Sequence, residues 1–211
     1  MSKGNTVGSP LVNLSSRQHS ILVGSLLGDG TLRLGKGAAN VNFKIEHGLM
    51  QKNYVFFKYS IFKEFVGTPP KLSFRYDDAG KQYQKSWWFR TFRNHMLNPY
   101  FSWFYKNRTK VVPDKIESLL DPLGLAVWIM DDGSSNNKRT SLYLNTHGFK
   151  MRDQLNLCRT LKKKFLLSAR VHKDGNKHRI YIPVKDTKLL FKIVAPCLLP
   201  EFFYKFPEVT P

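Results

Sequence analysis

Two matching segments limit the fold more than any other feature: RQHSILVGSLLGDGTL at 17–32 and DPLGLAVWIMDDGSS at 121–135. Each reads as an apolar helix that ends in Asp-Gly and runs on into a strand. Asp29 and Asp132 hold matched places, 103 residues apart. The order of the downstream elements repeats as well. TLRL and ANVNFKIEH read as a hairpin in which Asn42, Lys44 and Glu46 alternate against Phe43 and Ile45. RTSLYLNTH does the same with Ser141, Tyr143 and Asn145 against Leu142 and Leu144. Next comes an amphipathic helix, about 50–65 in one half and 150–165 in the other. A second pair of strands comes after it (KLSFRYD with SWWFRTF, SARVHKD with HRIYIPV), and each half closes with an apolar helix, about 95–105 and 186–196. The expectation is an α+β protein of two pseudo-symmetric αββαββα halves, each with an antiparallel sheet, packed through the two repeated helices. The expected boundaries are a tail at 1–14, a first half at 15–105, a linker at 106–120, a second half at 121–207 and a tail at 208–211.

The starts of the two repeated helices have ordinary chemistry. Ser15 with Gln18 resembles a capping box, and Asp121 precedes a proline suited to the first helical position. Their ends do not. A helix C-terminus carries partial negative charge, which disfavours aspartate by roughly 0.3–1 kcal/mol. Taken alone, Asp-Gly reads as a solvated turn. Taken as a symmetric pair, the acids are expected to meet where the helices pack, with Gly24 and Gly28 allowing close approach on the first helix. Divalent cations with oxygen ligands relieve such crowding, and magnesium commonly uses one or two carboxylates plus phosphate oxygens. The second helix has Val127 and Asp131 in place of the glycine pair, which leaves close contact less secure on that side.

Composition then selects a partner. The formal charge of +19, from 34 basic against 15 acidic side chains, far exceeds what solubility needs and implies a polyanion, nucleic acid first. The charge is spread over both halves: 14 basic and 5 acidic residues in 1–105, 20 and 10 in 106–211. No apolar run is long enough to span a bilayer, and MSKGNTVGSP reads as a polar tail without a signal-peptide core. Cys158 and Cys197 sit in apolar helical patterns and read as reduced core residues of an intracellular protein. The histidines lack zinc spacing.

LVGSLLGDG (22–30) and LAVWIMDDG (125–133) resemble the two namesake motifs of single-chain, intron-encoded LAGLIDADG homing endonucleases. The resemblance spans about 16–207. It implies a site-specific endonuclease that makes a staggered double-strand break by metal-dependent phosphodiester hydrolysis and so initiates intron homing. The alternative it carries is a maturase that binds its own intron RNA. It implies metal binding by Asp29 and Asp132, with the Gly28 and Asp131 carbonyls as further ligands. It gives Lys110, before Lys106, and Lys205 as basic residues beside the scissile phosphates, and Glu46 and Asn145 as water-ordering groups. Mg²⁺ is the implied ion, with Mn²⁺ able to substitute and Ca²⁺ supporting binding without cleavage. The partner is double-stranded DNA and no membrane, for a monomer with internal pseudo-twofold symmetry in a mitochondrial setting. The side chains expected to reach DNA from the sheets are Arg33, Lys44, Arg75, Lys85, Arg90, Lys138, Arg139, Arg170, His172, Lys173 and Arg179. Trp87 and Trp88 are expected to pack rather than stack on bases, LKKKF (161–165) to be a solvated helix face, and His47 and His147 to have no catalytic part. Two departures stand out: Leu27 and Gly28 match Met130 and Asp131, so the second motif carries an extra carboxylate with no assigned role.

Overall fold

Ser15 starts the first helix by accepting a hydrogen bond from the Gln18 N–H while the Gln18 side chain accepts from Ser15 N–H. Asp121 starts the second by accepting from Gly124 N–H, with Pro122 at the first helical position. The computed structural model describes residues 14–135 and 140–206, apart from the Gln84 side chain. Lys138, Arg139 and most of both expected tails lie outside the described residues.

The first half runs α1 (Ser16–Leu27), β1 (Thr31–Leu34), β2 (Val41–Gly48), α2 (Lys52–Phe62), β3 (Lys71–Tyr76), β4 (Gln82–Arg90) and α3 (Asn98–Phe104). A short hairpin, β5 (Tyr105–Lys106) and β6 (Thr109–Lys110), and the short helix α4 (Ile116–Leu119) then lead to the second half. That half repeats the order as α5 (Pro122–Asp132), β7 (Gly133–Ser135), β8 (Leu142–Leu144), α6 (Met151–Phe165), β9 (Arg170–Asp174), β10 (Lys177–Ile182) and α7 (Val184–Val194). Both four-stranded antiparallel sheets have one order, β1-β2-β4-β3 and β7-β8-β10-β9. The expected architecture is therefore the observed one.

Register makes the halves comparable residue by residue. Ile45 faces Phe89 in one sheet and Leu144 faces Ile180 in the other, and all four are buried. Glu46 and Asn145, one residue on, thus share a place. So do α2 and α6: Tyr54, Val55, Lys58 and Phe62 are buried on α2, and Leu157, Cys158, Leu161 and Phe165 are buried on α6, at the same 103-residue spacing.

The two repeated helices form the centre. Ile21, Leu22, Val23 and Leu26 of α1 and every residue from Leu125 to Met130 of α5 are fully buried. Each large apolar side chain removed from water contributes about 1.5–3 kcal/mol. The helices lie side by side and parallel, since Ser20 faces Gly124, Gly24 faces Gly124 and Val127, and Gly28 faces Asp131. A methyl group on Gly24 would overlap the Gly124 carbonyl oxygen and stand 2.7 Å from Val127 Cβ. The close approach expected to be less secure on the α5 side is supplied by Gly124, one turn before the matched position. Parallel packing brings both helix C-termini to one end of the molecule.

Candidate active site

The two C-termini differ. α5 continues through Asp132, with Gly133 capping it. α1 stops at Leu27, where Gly28 donates to the Gly24 carbonyl, so Asp29 lies beyond the helix rather than in it. The Asp29 side chain is 49% exposed; that of Asp131 is wholly buried.

Neither helix has a basic residue in its last turn. Lysines from elsewhere in the chain supply that charge. Lys110 Nζ donates to the Gly28 and Gly30 carbonyls, at 2.8 Å each. Lys205 Nζ donates to the Ile129 and Met130 carbonyls at 2.9 and 2.8 Å. Gly28 caps α1 and Met130 lies in the last turn of α5, so each ammonium satisfies a terminal carbonyl that no helical N–H reaches. Lys110 arrives on the β5–β6 hairpin, whose two-residue turn holds Asn107 and Arg108 at φ of 49° and 63°. Such a left-handed pair matches the twist of a hairpin. The segment expected to be linker is thus what delivers a site lysine, while Lys106 is exposed. Lys205 arrives on the 3-10 turn Pro200–Lys205 and is buried.

Asp131 meets a third lysine. Both of its carboxylate oxygens accept from Lys58 Nζ, at 2.8 and 3.1 Å, and Tyr54 donates its hydroxyl at 2.6 Å. Lys58 also stands 3.2 Å from His47 Nε2. Burial would raise the Asp131 carboxyl, but Lys58, His47 and the hydrogen bonds from Lys58 and Tyr54 outweigh it and hold the group below the usual carboxylate range. Three aspartates are therefore set among three lysines. Metal is not the sole relief for their crowding, contrary to the expectation from sequence. Asp132 remains short of positive charge. Burial pushes its carboxyl up to about 8, Asp29 and Asp131 add to this, and Lys110 and Lys205 oppose it. Burial likewise pulls Lys205 down to about 8.

Among the described residues, no side chain donates a hydrogen bond to the Asp132 carboxylate. Beside it a cavity of about 190 Å³ is lined by Lys110, Asn145 and Thr146 with the Gly28 backbone. Glu46, at the place matching Asn145, is engaged differently. It accepts from Lys44, Arg75 and Ser86 at 2.5, 3.0 and 2.7 Å. Burial alone would raise it, but those partners hold it at about 2.

The expected metal ligands divide on this geometry. Asp29 and Asp132 offer carboxylate oxygens. The Gly28 carbonyl already accepts the Lys110 ammonium, and the Asp131 carboxylate, as distinct from the carbonyl expected to be a ligand, is the counter-ion of Lys58. Ligand atoms of Asp29, His47 and Asp131 do fall within 4.8 Å of one another. Lys58 fills that cluster, which disfavours an ion there. Lys58, Tyr54 and His47 were not singled out from sequence as partners of the site. The signal was available: Lys58 falls on the apolar stripe of α2.

Replacing Lys205 by methionine would strand the buried Met130 carbonyl of α5, while the Ile129 carbonyl keeps the Gly133 N–H. Each buried unpaired group costs about 1–3 kcal/mol. A lowering of Tm by roughly 5 °C is expected for a chain of this size. An unchanged circular-dichroism melt would contradict the capping role.

Residues 19–190 match the sequence profile of the LAGLIDADG DNA endonuclease family. The chain is 33% identical over 198 residues to "Probable intron-encoded endonuclease 1" of Wickerhamomyces canadensis, covering 91% of this chain and 84% of that protein. The chain belongs to the LAGLIDADG DNA endonuclease family. Its structure is similar to that of the homing endonuclease I-WcaI bound to its DNA recognition sequence, with a TM-score of 0.86 at 30% identity over 98% of this chain and 95% of that one. It is also 31% identical to "Cytochrome b mRNA maturase bI2" of Saccharomyces cerevisiae, over 95% of this chain and 49% of that protein.

In this LAGLIDADG protein each sheet turns one face to the helices and leaves the other open. Residues paired across strands share a face. Lys44, Arg90 and Thr31 are paired in a row, with Arg33, Glu46, Trp88 and Arg75 on the same side by alternation. In the second sheet Arg170, Tyr181 and Tyr143 form a row beside Arg179 and His172. Parity removes two expected residues from these faces. Lys85 pairs with Phe74 and Lys173 with His178, both on the helix side. The Trp87–Trp88 pair splits for the same reason: Trp87 packs on the core, whereas Trp88 lies on the open face under Lys44, 5.3 Å from its ring centre. The second face is layered: His172 stacks on Tyr181 at 4.3 Å between ring centres, and Arg179 lies 3.9 Å over Tyr143.

Proposed function

We propose that the chain is a homing endonuclease that cuts both strands of a long double-stranded DNA site by metal-dependent phosphodiester hydrolysis. The single observation that carries this reading is the convergence of Asp29, Asp132, Lys110 and Lys205 at one end of the paired helices, with an open basic sheet extending from each.

The donor set suits a hard divalent cation such as Mg²⁺. Asp29 is half exposed, and the Asp132 carboxylate, half buried, has no protein donor among the described residues. Asp29 and Asp132 would hold the ions, which when bound lower the pKa of an attacking water and stabilise the leaving oxygen. Mn²⁺ is expected to substitute and Ca²⁺ to support binding alone. Lys110 and Lys205 each spend two of three ammonium donors on backbone carbonyls and keep one for a phosphate oxygen. Asn145, in the cavity beside Asp132, is suited to orient a water. Glu46 is suited to fix Lys44 and Arg75 for contact with DNA, since an acid held at about 2 takes up no proton near neutrality.

On the open faces, Arg33, Lys44, Arg75, Arg90, Arg170, His172 and Arg179 are the groups proposed to reach the major groove, where arginine pairs with guanine. Lys85 and Lys173 are assigned at most to flanking phosphates. The proposed setting is a mitochondrial intron, and the proposed active form is the monomer. Similarity to the cytochrome b maturase favours one second reading, in which the chain also binds its intron RNA.

The test is selection of targets from a randomised plasmid pool. In magnesium the native protein is expected to linearise a narrow set of sequences and leave staggered ends. In calcium it should bind them with affinity that falls steeply with salt, by about 10³-fold or more between 50 and 200 mM. A pool left uncut despite tight binding overturns the nuclease reading.

A further inference from the structure

The fold contains an internal comparison. At equivalent places the first half buries Lys58 and Tyr54 on α2 with His47 on β2, while the second buries Leu161 and Leu157 on α6 with Thr146 after β8. The residue that joins the first set, Asp131, matches Gly28. One polar quartet thus stands where the other half has apolar residues, a threonine and a glycine. A buried ion pair rarely stabilises a protein more than apolar residues of similar size. The second half shows that this architecture stands without one.

What the first half lacks is helix. Asp132 is within α5, so helical hydrogen bonding fixes its backbone. Asp29 lies past the end of α1, where no helical partner awaits its N–H. Asp131 supplies one: its Oδ2 accepts the Asp29 N–H at 3.1 Å. The same carboxylate is held by Lys58 and Tyr54. His47 completes the enclosure, with Nδ1 3.4 Å from the Asp29 carboxylate. Gly28 is bare because Asp131 lies over it; a methyl there would stand 2.7 Å from Asp131 Oδ2 and overlap its Cβ.

We propose that Asp131, anchored by Lys58 and Tyr54, is a positioning residue for Asp29 and serves only one of the two strand cuts. It acts through the Asp29 N–H and replaces the helical turn that α1 does not make. This rests on Asp29 being a metal-holding carboxylate of a nuclease.

Two variants separate positioning from packing. Lys58→Met with Asp131→Leu removes charge and acceptor together; Lys58→Met with Asp131→Asn removes the charge and keeps an acceptor. Each is assayed on a native-selected target labelled on either strand, with kcat and KM measured per strand. An Asp29→Asn variant identifies the strand that depends on Asp29. The leucine pair is expected to lose about tenfold or more in kcat on that strand, with KM and the other strand unchanged, because a small misplacement of a reacting group is costly. The asparagine pair should stay within about threefold of native on both. A native strand ratio in the leucine pair overturns the proposal, as does equal slowing of both strands in both pairs. Failure of the leucine pair alone to fold makes the role structural and also overturns it. If the native protein selects and cuts no target, the nuclease reading itself has failed and the inference falls with it.

Discussion

A variant with Asp29→Asn and Asp132→Asn together is expected to leave a native-selected plasmid supercoiled in magnesium, with cutting reduced on the order of 10³-fold or more, the scale of losing a group that stabilises transition-state charge. Asparagine keeps the shape of each side chain and removes the charge that would hold the ion. The loss cannot then be blamed on collapse of the fold, and the electrostatics of Asp132 say why. A carboxyl whose pKa rises on folding to about 8 is penalised when ionised, so its contribution is unfavourable at neutral pH without metal. Neutral asparagine removes that penalty. In metal-free buffer the double variant should melt at or above the native temperature, and in calcium it should bind DNA within a few-fold of native, since the sheets are untouched. Robust double-strand cutting by this variant would remove the basis for assigning the chemistry to these two acids. A melt well below native would instead mean that their charges hold the helices together.

The second large effect is structural. Gly24→Val is expected to lower Tm by about 10 °C, from an overpacking cost near or above the usual 1–3 kcal/mol. The obstacle is main chain: a side chain at Gly24 meets the Gly124 carbonyl, which no rotamer change can move aside. Gly48→Ala is the matched control, because a methyl there meets nothing within 4 Å and φ is −58°. It should melt within about 1 °C of native. Equal melting of the two variants would show that the helices tolerate separation.

The sequence carried the architecture because the repeat is written twice. Asp29 and Asp132 stood out through equivalent surroundings, and Gly24 through its spacing. Three things were harder to read. Gly124 escaped notice because it lies one turn before the position matched to Gly24. Lys58 escaped because a lysine in an amphipathic helix ordinarily faces water, and its partner Asp131 lies 73 residues away. Lys85 and Lys173 were put on the wrong faces although alternation could have placed them: Trp87 and Phe89 are core-side, so Lys85 shares their parity. Glu46 and Asn145 were paired correctly by position, yet matched places have acquired different neighbours.

The contact between Gly24 and the Gly124 carbonyl has a consequence for redesign. Backbone against backbone leaves no slack, so the gap between the two cutting centres is a ruler made of main chain. Side chains on the open sheets can be exchanged to change the sequence that is read, and the length of the overhang should stay the same.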